Sequence, residues 1–183
     1  MAVMNKLIVT STLIFSSLLP NLAWGSSVDT WDKISDISTY GLVATAALIP
    51  TYHRDWQGLK QAGFSIGVAS GVGLIGKSLV DKERPDGSDN DSFPSNHTAN
   101  AFASATTLQQ RYGWEVGIPA YGVAILAGIA RVEAEEHYYS DVLAGAAIGI
   151  ASGYFLTDQY QGDFQLMPWA TTESFGLSMH YTW

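Results

Sequence analysis

Three short clusters hold the residues of this 183-residue chain whose types and spacing suit chemistry. In the first, six residues separate Lys77 from Arg84, and Arg84 precedes Pro85. Positions seven apart share a helix face two turns along, and the proline pushes Arg84 toward extended geometry, so both cations can leave a helix end and hold one anion. Taken alone, the pair reads first as two solvated charges near Asp81 and Glu83. The second cluster is Pro94-Ser95-Asn96-His97. Backbone amides at a helix start, with a serine hydroxyl beside them, bind phosphate oxygens, and His97 can donate a proton. The plain alternative is an N-cap with a surface histidine. In the third, Arg131 is followed by His137 and then Asp141. If a helix starts by about His137, the carboxylate at i+4 can accept one ring N–H and leave the other nitrogen free as a nucleophile, although an interhelix salt bridge uses the same residues.

These clusters need elements that bring them together. Residues 26–38 are polar and aromatic and are expected to lie over the surface, followed by a short helix over about 39–48 that Pro50 stops. A long helix is expected over 57–80. Pro85, Gly87 and Pro94, with several Asp and Asn, make 81–96 a loop. Further helices are expected over about 98–110, 114–130 and 140–158. Gly63, Gly67 and Gly71 recur every four residues, as do Gly145, Gly149 and Gly153, so two helices are expected to carry a flat ridge for close packing. From Phe175 to the C-terminus, apolar and polar residues alternate, and with 164–170 upstream this predicts a hairpin. The expected fold is all-α, a helical bundle with a short C-terminal β-hairpin. Its expected segments are a signal peptide (1–25), a helical domain (26–160) and a hairpin tail (161–183).

Composition removes several classes of function. With no Cys there is no disulfide framework, thiol nucleophile, thiolate zinc site or iron–sulfur cluster. A net charge of −8 leaves no basic face to follow a nucleic-acid backbone. Lys6, the apolar run 7–19 and Ala23-Trp24-Gly25 read as a secretory signal, with an uncleaved anchor as the alternative, so export to a periplasm-like compartment is expected. Residues 62–80, 116–130 and 142–156 suit a short membrane span or a buried helix equally. The mean hydropathy of +0.09 and the polar run Thr106 to Arg111 favour a soluble or peripherally attached domain.

In order and spacing, the three clusters from Lys77 to Asp141 resemble the signature of the type 2 phosphatidic acid phosphatase and vanadium haloperoxidase superfamily. Two positions depart from it: Asn96 stands where the family usually has Gly, and Ala130 where it has Ser before the arginine. The resemblance implies a helical-bundle phosphatase. His137 would attack phosphorus to form a phosphohistidine, and Asp141 would fix its tautomer. His97 would protonate the leaving oxygen and then activate water, while Lys77, Arg84, Ser95, the Asn96 amide and Arg131 would hold the phosphate oxygens. No metal or other cofactor is implied, because three cations and oriented amides supply the positive charge.

The expected substrate is a lipid phosphate or diphosphate of the phosphatidate, phosphatidylglycerophosphate or prenyl diphosphate type. Runners-up are a soluble broad-specificity phosphomonoesterase and a non-catalytic envelope binding module; a vanadate haloperoxidase fits so short a chain poorly. Glu133, Glu135, Glu136, Asp86, Asp89 and Asp91 read as a solvated acidic rim that repels polyanions. His53 and His180 match no motif and read as structural or exposed. A site needing neutral His137 and protonated His97 predicts a bell-shaped pH profile. We expect His137→Ala to abolish turnover and Lys77→Ala mainly to raise KM with a smaller loss of kcat, as steady-state phosphate release will show.

Overall fold

The computed structural model describes residues 28–160, 164–170 and 175–181, so the reading of 1–25 as a signal lies outside the described residues. The described residues form five helices and two strands: α1 (Val28–Tyr52), α2 (Trp56–Leu79), α3 (Asn96–Tyr112), α4 (Trp114–Glu133), α5 (Tyr139–Leu156), β1 (Phe164–Ala170) and β2 (Phe175–Tyr181). The strands pair antiparallel, from Phe164 opposite Tyr181 to Ala170 opposite Phe175. The fold is the expected helical bundle.

Helix α3 is the axis and touches all four other helices. It can be buried on every side because it is built from small residues: Ala99, Ala101, Ala103, Ser104, Ala105, Thr106 and Thr107 are all inaccessible or nearly so. The closest approach is to α5. A Cβ added at Gly145 would lie 2.4 Å from the Ser95 carbonyl oxygen, one at Gly149 2.3 Å from that of Ala99, and one at Gly153 2.6 Å from Thr106 Cβ. This glycine ridge therefore packs backbone on backbone, as its spacing predicts. The other ridge does not, since Gly63, Gly67 and Gly71 face nothing within 4 Å. Helix α2 instead packs through Ala62, Ser65, Ala69 and Gly73.

The expectation for the first segment needs correction. Residues 28–38 are not a surface coil but the first turns of a single 25-residue helix that continues through Pro50. Its buried positions, Ser35, Ser38, Thr39, Leu42, Ala46 and Pro50, follow helical spacing. They are mostly hydroxyl-bearing or small, so a search for apolar periodicity passes over them.

The bundle buries little bulk and exposes much. Leu42 and Leu108 are the only large aliphatic side chains in the fully buried core of the described residues. Phe64 is 67% exposed, Leu79 77%, Ile118 67%, Leu143 69% and Phe155 79%. Helices α2, α4 and α5 are each long and apolar enough to cross a membrane. Exposed apolar faces of this extent suit contact with lipid or with another protein.

The helices alternate in direction, so the two ends of the bundle differ. At one end a polar lock joins three segments: Arg111 Nε and NH2 donate to Asp55 at 2.7 and 2.5 Å, Tyr112 Oη donates to Asp55 at 2.8 Å, and Arg111 NH1 donates to the Asp158 carbonyl at 2.9 Å. At the other end lie the C-termini of α2 and α4, the N-termini of α1, α3 and α5, and the loop 81–95. All three sequence clusters gather there. The contrast between the ridges is testable by thermal unfolding in detergent. Gly149→Ala, forced against the α3 backbone, should destabilise by about 1–3 kcal/mol. Gly67→Ala, facing open space, should be neutral or stabilising by up to about 1 kcal/mol.

Candidate active site

Lys77 occupies the last turn of α2 and Arg84 the loop beyond it. The loop closes on itself through Lys82 N to Asn90 O at 3.0 Å, Ser92 N to Lys82 O at 2.9 Å and Arg84 N to Asp89 O at 2.8 Å. That closure places Asp91 between the two cations: Lys77 Nζ donates to Asp91 Oδ2 at 3.1 Å and to its carbonyl, while Arg84 Nε reaches Asp91 Oδ1 at 2.7 Å. Burial alone would raise the Asp91 carboxyl, but hydrogen bonds and charge from Arg84 and Lys77 outweigh it and hold the group below the ordinary carboxylate value.

Arg131, at the C-terminal end of α4, is 4% exposed. One Glu136 oxygen, Oε2, joins it to Arg84, accepting from Arg131 NH2 at 3.0 Å and from Arg84 NH1. Arg131 NH1 also donates to Asp32 Oδ1 on α1 at 2.6 Å, while its Nε is buried without a partner. The three cations named from sequence thus form one chain, Lys77–Asp91–Arg84–Glu136–Arg131. Asp91 and Glu136 are its links, and reading them as part of a solvated rim is incorrect.

After α4, Glu135 adopts a left-handed conformation with φ of 56°, turning the chain back so that the Glu136 and His137 amides both donate to the Arg131 carbonyl at 3.2 Å. The turn buries His137 to 2% exposure with Nδ1 2.6 Å from the Ser92 carbonyl oxygen. A carbonyl only accepts, so Nδ1 carries the proton and Nε2 keeps its lone pair. Burial, reinforced by Arg131, Lys77 and Arg84, pushes the imidazole pKa down to about 3. The group is neutral across ordinary pH.

Asp141 does not take the place expected for it. Helix α5 starts at Tyr139, so His137 precedes the helix and the i, i+4 geometry is lost. Asp141 is fully buried and accepts from Ser92 Oγ at 2.6 Å, Tyr138 N at 3.0 Å, Ser140 Oγ at 3.1 Å and Lys82 Nζ at 2.5 Å. It meets His137 through Ser92, whose hydroxyl it holds and whose carbonyl holds the ring.

Ser95 caps α3, its Oγ accepting from Thr98 N at 3.5 Å and Thr98 Oγ1 at 3.0 Å. Its amide donates to the Asp141 carbonyl at 3.1 Å, which ties the second cluster to the third. Asn96 opens the helix, so its amide has no partner within the helix. The Asn96 side chain fits only because Gly73 faces it, since a Cβ there would lie 1.6 Å from Asn96 Oδ1. His97 Nε2 lies 2.9 Å from Asp36 Oδ1 on α1, with Tyr40 edge-on at 5.9 Å. Burial and Arg131 lower the pKa of His97 below the usual histidine value, against the opposing pull of Asp36.

Sequence reasoning missed Ser92, Lys82, Asp91, Glu136, Asp32 and Asp36. The i, i+4 spacing of Asp32 and Asp36, which lets both face one neighbour, was the available signal for the last two.

Comparison with known proteins gives the chain its family and its relatives in fold. A curated relative, the lipid A 1-phosphatase of Porphyromonas gingivalis, is 41% identical over 103 residues, covering 51% of this chain and 23% of the relative, so the match spans about a quarter of that protein. The lipid A 4'-phosphatase of Helicobacter pylori is 29% identical over 147 residues, covering 71% of this chain and 74% of the relative. Two crystal structures share the fold. Aquifex aeolicus LpxE superposes with a TM-score of 0.61 at 23% identity, over 78% of this chain and 92% of that one. A transmembrane PAP2-type phosphatidylglycerolphosphate phosphatase from Bacillus subtilis gives 0.52 at 22% identity, over 81% and 92%. The sequence model of the PAP2 superfamily matches residues 58–165, which include every motif residue from Lys77 to Asp141. The chain is a member of the PAP2 superfamily.

Proposed function

We propose that this protein is a membrane-embedded phosphatase that hydrolyses the phosphate ester of a lipid, with no metal, through a phosphohistidine on His137. The observation that carries the reading is the His137 ring itself: neutral, buried, fixed through Nδ1 by the Ser92 carbonyl, and facing a cage of three cations. The lone pair on Nε2 attacks phosphorus and the bond to the lipid oxygen breaks. His97 gives that oxygen its proton, then takes one from the water that cleaves the P–N bond, returning inorganic phosphate and free His137. Lys77, Arg84, Arg131, the Ser95 hydroxyl and the Asn96 amide hold the equatorial oxygens and supply the charge a metal would otherwise provide.

The lipid class rests on the exposed faces of α2, α4 and α5, which suit a bilayer, and on two relatives named as lipid A phosphatases. With the reaction end at the membrane surface, a lipid headgroup reaches the cage while its chains stay in the bilayer. The expected export places that end outside the cytoplasm.

The test is phosphate release by the full chain in vesicles with excess EDTA, offered lipid A or p-nitrophenyl phosphate, with His137→Ala as control. We expect EDTA-resistant release from lipid A, lost by at least about a thousandfold in the control. Faster turnover of the soluble ester than of the lipid would overturn the lipid reading, and turnover retained in the control would overturn the covalent step.

The pH dependence follows from the two histidines. His137 works only when neutral, which holds above about pH 3, and His97 only when protonated, which fails as pH rises through a value below the usual one for histidine. The profile of kcat/KM should therefore peak on the acid side of neutrality and fall toward alkaline pH. An optimum above neutrality contradicts these assignments.

A further inference from the structure

Lys82 lies between Lys77 and Arg84 in sequence but takes no part in their cage. Its ammonium donates to Asp141 Oδ1 at 2.5 Å and to Ser140 Oγ at 2.9 Å, and lies 4.5 Å from the Tyr138 ring centre and 5.9 Å from that of Phe93. Asp141 is a fully buried carboxylate, and such a group without a countercharge is strongly destabilising. The cage cations are engaged elsewhere, Lys77 and Arg84 with Asp91 and Arg131 with Asp32 and Glu136. Among the described residues Lys82 is the cation paired with Asp141.

The pair bears on Ser92 from two sides. The Lys82 carbonyl accepts the Ser92 amide at 2.9 Å, and Asp141 Oδ2 accepts its hydroxyl at 2.6 Å. The carbonyl of the same residue, anchored at its amide and its hydroxyl, meets His137 Nδ1 at 2.6 Å. Four groups in series thus run from a partly exposed ammonium to the ring of the nucleophile.

We propose that Lys82 is a positioning residue for the phosphatase reaction: it supplies the countercharge of Asp141, which through Ser92 fixes the tautomer and orientation of His137. The inference rests on the function proposed above. Lys82 is bonded to Asp141 and Ser140 and stands apart from the cage, so its loss should act on kcat and leave phosphate binding, the work of the cage, unchanged.

The test uses the full chain in vesicles with lipid A as substrate. Lys82→Met removes the charge but keeps most of the stem, Lys82→Arg keeps the charge, and Ser92→Ala cuts the next link while leaving the carbonyl in place. We expect Lys82→Met and Ser92→Ala each to lower kcat by about 10- to 100-fold, the range for a misdirected reacting group. KM and inhibition by inorganic phosphate should stay within about twofold of the parent, well inside that range. Lys82→Arg should recover most of the loss. The Met/Ala double variant should be no slower than the slower single, because links in series do not add. Unchanged kcat in Lys82→Met, additive losses in the double variant, or a joint loss of kcat and phosphate binding that Lys82→Arg does not repair would overturn the proposal. If Lys82→Met fails to fold, Ser92→Ala decides alone, and parental kcat there overturns the proposal. A parent chain that releases no phosphate, by contrast, counts against the proposed function itself.

Discussion

Three cations must stand together around one neutral, buried imidazole, and most of the structure at this end of the bundle answers that requirement. Like charges held this close repel one another, and burial removes the water that would screen them. The fold offsets this with carboxylates from three separate segments. Asp91 comes from the loop after α2, Glu136 from the turn after α4, and Asp32 from α1. Helix α1 lies before the region matched by the family, yet through Asp32 and Asp36 it touches both Arg131 and His97.

Precision at that end depends on closeness along the axis. The glycine ridge of α5 lets the α3 and α5 backbones meet without intervening side chains, and the hydrogen bond from the Ser95 amide to the Asp141 carbonyl fixes their register at the site. A core of alanine, serine, threonine and glycine follows from the same need. Bulk displaced from the interior appears on the outer faces of α2, α4 and α5, the three helices long and apolar enough to cross a membrane.

The motif residues were legible in the sequence because their types are chemically specific and their spacing is ordered; all eight named positions gather at one end of the bundle. What stayed hidden has physical reasons. Helix α1 buries hydroxyls instead of aliphatic side chains, so its early turns leave no apolar stripe. The two glycine ridges are identical as patterns, and only the neighbours in space distinguish the one that packs from the one that faces outward. The link from Asp141 to His137 fails as an i, i+4 pair because the helix begins two residues late, a shift within the ordinary uncertainty of helix boundaries. Asp91 and Glu136 sit among other acidic residues in the sequence, and nothing local singles them out from their exposed neighbours.

The position of Glu136 has a consequence for turnover. Its single oxygen bridges Arg84 and Arg131, the place a phosphate oxygen takes in the proposed reaction, so the resting cage already holds an anion tethered to the chain. Entry of a phosphate is then a ligand exchange, and so is its departure. In the proposed reaction, departing phosphate would leave Arg84 and Arg131 to Glu136 again, with Asp91 and Asp32 still on the same cations. A site built this way would trade some affinity for its substrate against easier release of its product.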